Sequence, residues 1–166
     1  HVILFDGNEK TDKAAVLNKL ANAQNVEIYA GELPEEVVNN LDLVVLSPGV
    51  PTDIPVVKNF YEHKIPVWGE VELAYRTGKG RVLAITGTNG KTTTTALLGK
   101  IMADAEDSVF VVGNIGTPYT SKSPEMKENS TTVAEISSFQ LETIDEFAPQ
   151  VSAILNITED HLNRHH

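Results

Sequence analysis

Val82-Leu83-Ala84-Ile85-Thr86-Gly87-Thr88-Asn89-Gly90-Lys91-Thr92-Thr93 is the stretch from which the fold of this chain can be read. Val82 to Ile85 is a short apolar run of the kind a buried parallel strand requires. Residues 92–103 follow with Leu97, Leu98, Ile101 and Met102 spaced for a helix. Between strand and helix, Gly87 and Gly90 permit positive φ and leave the backbone open to a close-lying anion. Successive N–H groups can then turn inward, and the start of the helix adds its partial positive charge. Lys91 brings a full charge suited to β- and γ-phosphates, and Thr92 a hydroxyl suited to Mg²⁺. The fit to G-x-x-x-x-G-K-[ST] is incomplete, because Ile85 occupies the first glycine position. The plainer alternative is a glycine turn with an exposed lysine.

Outward from this loop the same alternation repeats. Towards the N-terminus, residues 2–5, 26–29, 43–46 and 66–68 read as strands. Residues 13–23, 34–41, 54–63 and 70–75 read as helices, the first with Ala15, Val16, Leu20 and Ala23 on one side. The run at 43–46 is apolar throughout and is expected to be buried on both faces. It ends in Ser47-Pro48-Gly49-Val50-Pro51, which cannot continue a strand. Towards the C-terminus, strands are expected at 108–112, 131–136 and 151–156, with a polar surface loop at 120–130. Alternating strands and helices predict an α/β fold with two parallel-sheet units. Thr77-Gly78-Lys79-Gly80 is the expected boundary, giving units at 1–78 and 79–166.

The bulk composition narrows the function classes. A net charge of −10 excludes a basic nucleic-acid-binding surface. It does not exclude phosphate ligands, which backbone amides, one lysine and a divalent cation can hold. The chain has no cysteine, so disulfides and thiolate metal sites are excluded. No apolar run approaches the roughly 20 residues of a membrane helix. A cytoplasmic, monomeric protein is expected, and the lack of an initiator Met suggests a start within a longer product.

Ligands of parallel sheets sit at the carboxyl ends of the strands. In the second unit those ends carry Gly113-Asn114-Ile115-Gly116, then Glu135, Ser137, Ser138 and Gln140, then Asn156, Thr158, Glu159, Asp160 and His161. With the glycine loop they are expected to form one polar cleft. Glu135 interrupts an apolar strand, where a carboxylate is costly unless paired or bound to metal. Mg²⁺ bridging nucleotide phosphates is a natural partner, and a structural ion pair the alternative. His161 reads either as a metal ligand or as a structural histidine, and Asn114 either as a site residue or as a turn residue. His165 and His166 carry no assignment.

With these residues in view the chain resembles the Mur ligase family. The marks are Ser47-Pro48-Gly49-Val50-Pro51, Glu70-Val71-Glu72-Leu73-Ala74, the glycine loop through Thr93, and Gly113-Asn114-Ile115-Gly116. Glu135-Ile136-Ser137-Ser138-Phe139-Gln140-Leu141 and Asn156-Ile157-Thr158-Glu159-Asp160-His161 complete them. The Ser-Ser-Phe-Gln-Leu segment is similar to the D-glutamate-adding branch. The resemblance implies a Rossmann-like N-terminal domain and a P-loop ATPase-like central domain, both incomplete here. It implies that ATP converts the carboxylate of UDP-N-acetylmuramoyl-L-alanine to an acyl phosphate, which the amino group of D-glutamate attacks.

Carried over by position, the resemblance makes Gly87, Thr88, Asn89, Gly90, Lys91, Thr92 and Thr93 the ATP-binding set. Lys91, Glu135 and His161 become catalytic. Thr92 and Glu135 would hold one Mg²⁺ and His161 a second. Asn114, Ser137, Gln140 and His161 would face the UDP-sugar, Ser47 and Gly49 its diphosphate, and Asp6 the uracil. The chain departs from the family in several places. A first strand and glycine-rich loop are missing ahead of the strand ending at Asp6, and Gly7 and Asn8 stand where a basic residue is expected. Asn163 replaces an aspartate. The lysine that becomes carbamylated and the C-terminal domain are also missing, so the chain alone is expected to be inactive. A sister Mur ligase, a folylpolyglutamate synthase and a non-catalytic nucleotide switch are the competing readings.

Overall fold

The computed structural model describes residues 1–20 and 24–162. Strands β1 (Val2–Asp6), β2 (Val26–Ala30), β3 (Val44–Leu46) and β4 (Val67–Gly69) alternate with helices α1 (Lys13–Leu17), α2 (Glu35–Val38) and α3 (Pro55–Glu62). Helix α4 (Glu70–Thr77) leads to β5 (Arg81–Thr86), α5 (Lys91–Ala105), β6 (Val109–Gly113) and α6 (Tyr119–Lys122). A 3-10 turn (Ser123–Glu125), β7 (Thr131–Glu135), α7 (Ser138–Leu141) and β8 (Val151–Ile154) complete the order. All strand pairs are parallel, so the α/β class expected from the alternation is the one observed.

The first four strands do not form one sheet. β1 pairs with β2 and β3 with β4, as two separate two-stranded ribbons. Val2 N–H donates to Asn25 O and Gly31 N–H to Asp6 O, so residues 2 and 6 turn their backbone groups towards β2. By strand alternation Ile3 and Phe5 point their groups to the opposite edge. Both β1 and β3 line a cavity of about 580 Å³. Packing under β3 comes from Val38, Leu46, Val57, Phe60 and Ile65. The expectation that 43–46 is buried on both faces therefore fails at Val45, which is exposed. A strand paired along one edge cannot be covered as a central strand is.

β5 to β8 form a single sheet in the order β6-β7-β5-β8. β5 lies between β7 and β8, so the loop after it opens between the ends of both. Register aligns Ile85 with Glu135, Glu135 with Gly113, and Thr86 with Ile154, which brings the polar strand ends together. The core joins Val82, Ala84, Val112, Ala134 and Ile136 of this sheet to Val71 and Ala74 of α4. Helix α4, which sequence grouped with the first unit, thus packs in the core of the second.

A buried carboxylate holds it there. Glu72, fully buried, accepts from the amides of Asp145 (2.9 Å), Glu146 (3.0 Å) and Phe147 (3.0 Å) and from Arg76 Nε (2.6 Å). Burial pushes its pKa up. The Asp145 amide, the Arg76 guanidinium and the amides of Glu146 and Phe147 outweigh that, and the net effect is to lower it. Arg76 also pairs with Asp145 and Glu146 and stacks over Trp68. Glu70 Oε1 accepts from both the N–H and the hydroxyl of Thr120.

Other expected elements differ at their edges. Residues 120–130 are not a plain surface loop, since α6 and the 3-10 turn occupy part of them and Ser123, Met126 and Ser130 are buried. Their hydroxyls are satisfied locally, Ser130 by Ser108 and Ser123 by Thr77, which lets a polar sequence pack inward. The helix at 13–23 is seen as Lys13–Leu17, and its Ala23 lies outside the described residues. Asn163, His165 and His166 lie outside them too. No helix among the described residues is long and apolar enough to cross a membrane.

Candidate functional site

The glycine loop takes its shape from two left-handed residues. Gly87 has φ 136° and Gly90, the N-cap of α5, φ 84°. A β-carbon on Gly87 would lie 3.1 Å from the backbone of Asn156 and Leu155, a tight contact added to a φ that side chains rarely adopt, so glycine is favoured there. The amides of Thr88 and Asn89 are taken up by Asn156. Those of Gly90, Lys91, Thr92 and Thr93 form no hydrogen bond among the described residues. The first amides of a helix have no intrahelical partner. Here they open at the start of a 15-residue helix, whose dipole favours an anion. Lys91 Nζ lies across the loop, donating to Gly87 O (2.8 Å) and Thr88 O (3.0 Å).

Gly87, Thr88, Lys91, Asn114, Ser137 and His161 line one cavity of about 490 Å³. Sequence grouped these residues, and the structure brings them to a common opening. Thr92 and Thr93 are exposed on the first turn of α5, and Asn89 and Gly90 on the loop. Glu135 ends β7 at 2% exposure. Its one side-chain hydrogen bond among the described residues comes from Asn114 Nδ2 at 3.1 Å. A buried carboxylate with only a neutral partner lacks the charge compensation that burial calls for. It ends the strand next to β5, whose following loop carries the open amides, and a divalent cation would supply the missing charge. Among the described residues no group of three His, Cys, Asp or Glu side chains converges as a self-sufficient metal cage.

Ser137 and Gln140 form a capping box. Ser137 Oγ accepts from Gln140 N–H, and Gln140 Oε1 accepts from Ser137 N–H (2.9 Å). Gln140 is buried by this role and does not line the cavity. His161, at φ 50°, is exposed and rests against the Phe139 ring at 5.0 Å between centroids. Asp6 and Ser47 line the other cavity, between β1 and β3, and Gly49 does not. The Asp6 carboxylate is engaged in its own turn, accepting from Asn8 N–H and Thr11 hydroxyl. Those bonds lower its pKa against a small opposing effect of burial.

Sequence reasoning missed one feature of this site and left a second without detail. The cavity has an apolar wall including Phe139, Leu141, Ile154 and Leu162, where a polar cleft was expected. Asn156 and Thr158 bond directly to the glycine loop. An asparagine closing an apolar strand was the available signal for the second.

Two family matches cover most of the chain: Mur ligase MurD-like, N-terminal domain, over residues 2–69, and Mur ligase middle domain over residues 85–166. Curated relatives named UDP-N-acetylmuramoylalanine--D-glutamate ligase include those of Lachnospira eligens (59% identical over 164 residues), Thermoanaerobacter pseudethanolicus (54% over 164) and Clostridioides difficile (46% over 166). Each match spans 99% of this chain, but only 36%, 36% and 37% of those relatives, respectively. With both matched domains in chain order and the glycine loop opening the second, the chain belongs to the Mur ligase family.

Proposed function

We propose that this chain is the nucleotide- and UDP-substrate-binding part of an ATP-dependent ligase that joins D-glutamate to UDP-N-acetylmuramoyl-L-alanine in bacterial peptidoglycan precursor synthesis. The reading places it in the cytoplasm, as a monomer. The observation that carries it is the meeting of four open amides, Lys91 and the buried Glu135 at the carboxyl end of one parallel sheet. In this reading residues 79–166 take ATP and residues 1–78 the UDP portion, with α4 as the element common to both.

The open amides of residues 90–93 cradle the phosphates. Lys91, moving from the loop carbonyls, offsets charge that develops on the transferred γ-phosphoryl group. A carboxylate oxygen of the substrate attacks phosphorus, the bond to the β-phosphate oxygen breaks, and ADP leaves. The amine of D-glutamate then attacks the acyl carbon, phosphate departs, and the nitrogen loses a proton. Thr92 and Glu135 would hold Mg²⁺, with His161 at a second ion, and bound metal would neutralise charge on the phosphoryl oxygens. Asn114, Ser137 and Gln140 are assigned to the sugar side and Ser47, Gly49 and Asp6 to the nucleotide side. Gln140 acts through the cap it forms on Ser137.

The test is ATP-dependent phosphate release by protein of the relatives' length carrying this sequence, with and without D-glutamate. Turnover should need both substrates and fall about 100-fold or more in Lys91→Ala and Glu135→Ala. Turnover indifferent to D-glutamate would overturn the substrate assignment. The 166-residue chain alone is expected to bind Mg-ATP without turnover.

A further inference from the structure

Beyond the end of β8 the chain does not leave the glycine loop. Leu155 N–H still donates to Thr86 O (2.9 Å), extending the strand pairing by one residue. The next contacts combine one further backbone bond with side-chain bonds. Asn156 Oδ1 accepts from Asn89 N–H (2.9 Å), its Nδ2 donates to Asn89 O (2.8 Å), and its backbone O accepts from Thr88 N–H (3.0 Å). Thr88 Oγ1 accepts from Thr158 N–H (3.0 Å) and donates to Thr158 O (3.2 Å). The two segments run so close that a β-carbon on Gly87 would lie 3.1 Å from the backbone of Asn156. Three residues later the segment meets a second support, where His161 rests on Phe139 of the capped helix α7.

We propose that Asn156 and Thr88 are positioning residues, forming a clip that locks the phosphate loop and the Glu159-Asp160-His161 segment into one unit. The inference rests on the nucleotide-site reading above and deepens it. The Asn156 amide copies the donor–acceptor pair of a neighbouring strand and fixes both backbone groups of Asn89. The Thr88 hydroxyl does the same for Thr158. The loop thus keeps its anion-binding shape with residues 156–158 alongside, and His161 is held over the cavity from two sides, by that loop and by Phe139. Asn89 contributes backbone alone, so its own side chain is dispensable to the clip.

The test compares wild type with Asn156→Ala, Thr88→Val, Thr88→Ser and Asn89→Ala in the 166-residue chain. Backbone amide exchange at Asn89 and Thr158 is followed by NMR, and Mg-ATP binding by calorimetry. Asn156→Ala should speed exchange at Asn89 about tenfold, and at Thr158 as well although its side chain does not touch that residue. It should weaken Mg-ATP about tenfold. Thr88→Val should do likewise, Thr88→Ser should restore both, and Asn89→Ala should leave exchange at Thr158 unchanged. Unchanged exchange at Thr158 in Asn156→Ala, or equal loss in Thr88→Ser and Thr88→Val, would overturn the clip. If wild type binds no nucleotide, the functional reading fails while the exchange measurements still decide the clip.

Discussion

In the second unit β7 has a partner on each side and is buried from Thr131 to Glu135, whereas in the first unit β1 and β3 each have one partner and Val45 stands 42% exposed. Two-stranded ribbons are marginal by themselves. What steadies the first unit is the apolar face of α3, with Val57 and Phe60 packed beneath β3. The second unit has a continuous sheet, and α4 has been drawn into its core. The proposed phosphate site calls for fixed geometry and is best built on the continuous sheet, and the open amides, Lys91 and Glu135 all lie there.

This contrast can be broken or sharpened by mutation. The largest effect is expected at the seam. Glu72→Ala leaves the amides of residues 145–147 without their acceptor, while Arg76 keeps Asp145 and Glu146, and should cost about 3 kcal/mol by chemical denaturation. Loss concentrated in β1–β4 instead would mean that α4 stabilises the first unit. The same carboxylate predicts an acid limb. Its lowered pKa contributes stability that is present above the ordinary carboxylate value, about 4, and lost as pH falls through the folded value. Glu72→Gln should flatten that limb in a pH series of unfolding midpoints.

A smaller effect compares the strands directly. Val133→Ala, at 0% exposure in the flanked strand, should cost about 2 kcal/mol, and Val45→Ala less than about 0.5 kcal/mol. Equal costs would mean that β3 is as well covered in solution as β7. The smallest effect is at the cap. Ser137→Ala should cost about 1 kcal/mol and raise amide exchange within α7. A silent substitution would show that α7 is held by packing and not by its capping box.

Much of this was legible in residue order. The glycine loop, its strand and its helix follow from Val82 to Thr93 because sterics and helix electrostatics act over a few residues. The resemblance that named the family was carried by equally local segments. Edges of elements were less legible: β8 ends at Ile154, and beyond it the Asn156 side chain bonds both backbone groups of Asn89. The resemblance put Gln140 at the substrate, and that its Oε1 also caps α7 could not be read from residue type.

By itself, sequence determined the parallel α/β class, the phosphate loop and the residues able to hold charge at strand ends, since each depends on short-range periodicity or backbone freedom. Tertiary structure alone decided that four strands form two ribbons, that α4 joins the second core through Glu72, and that Asn156 closes on Asn89. Those outcomes turn on which distant groups meet, 67 positions apart for Asn156 and Asn89 and 73 to 75 for Glu72 and the 145–147 amides. Spacing along the chain carries no record of such meetings.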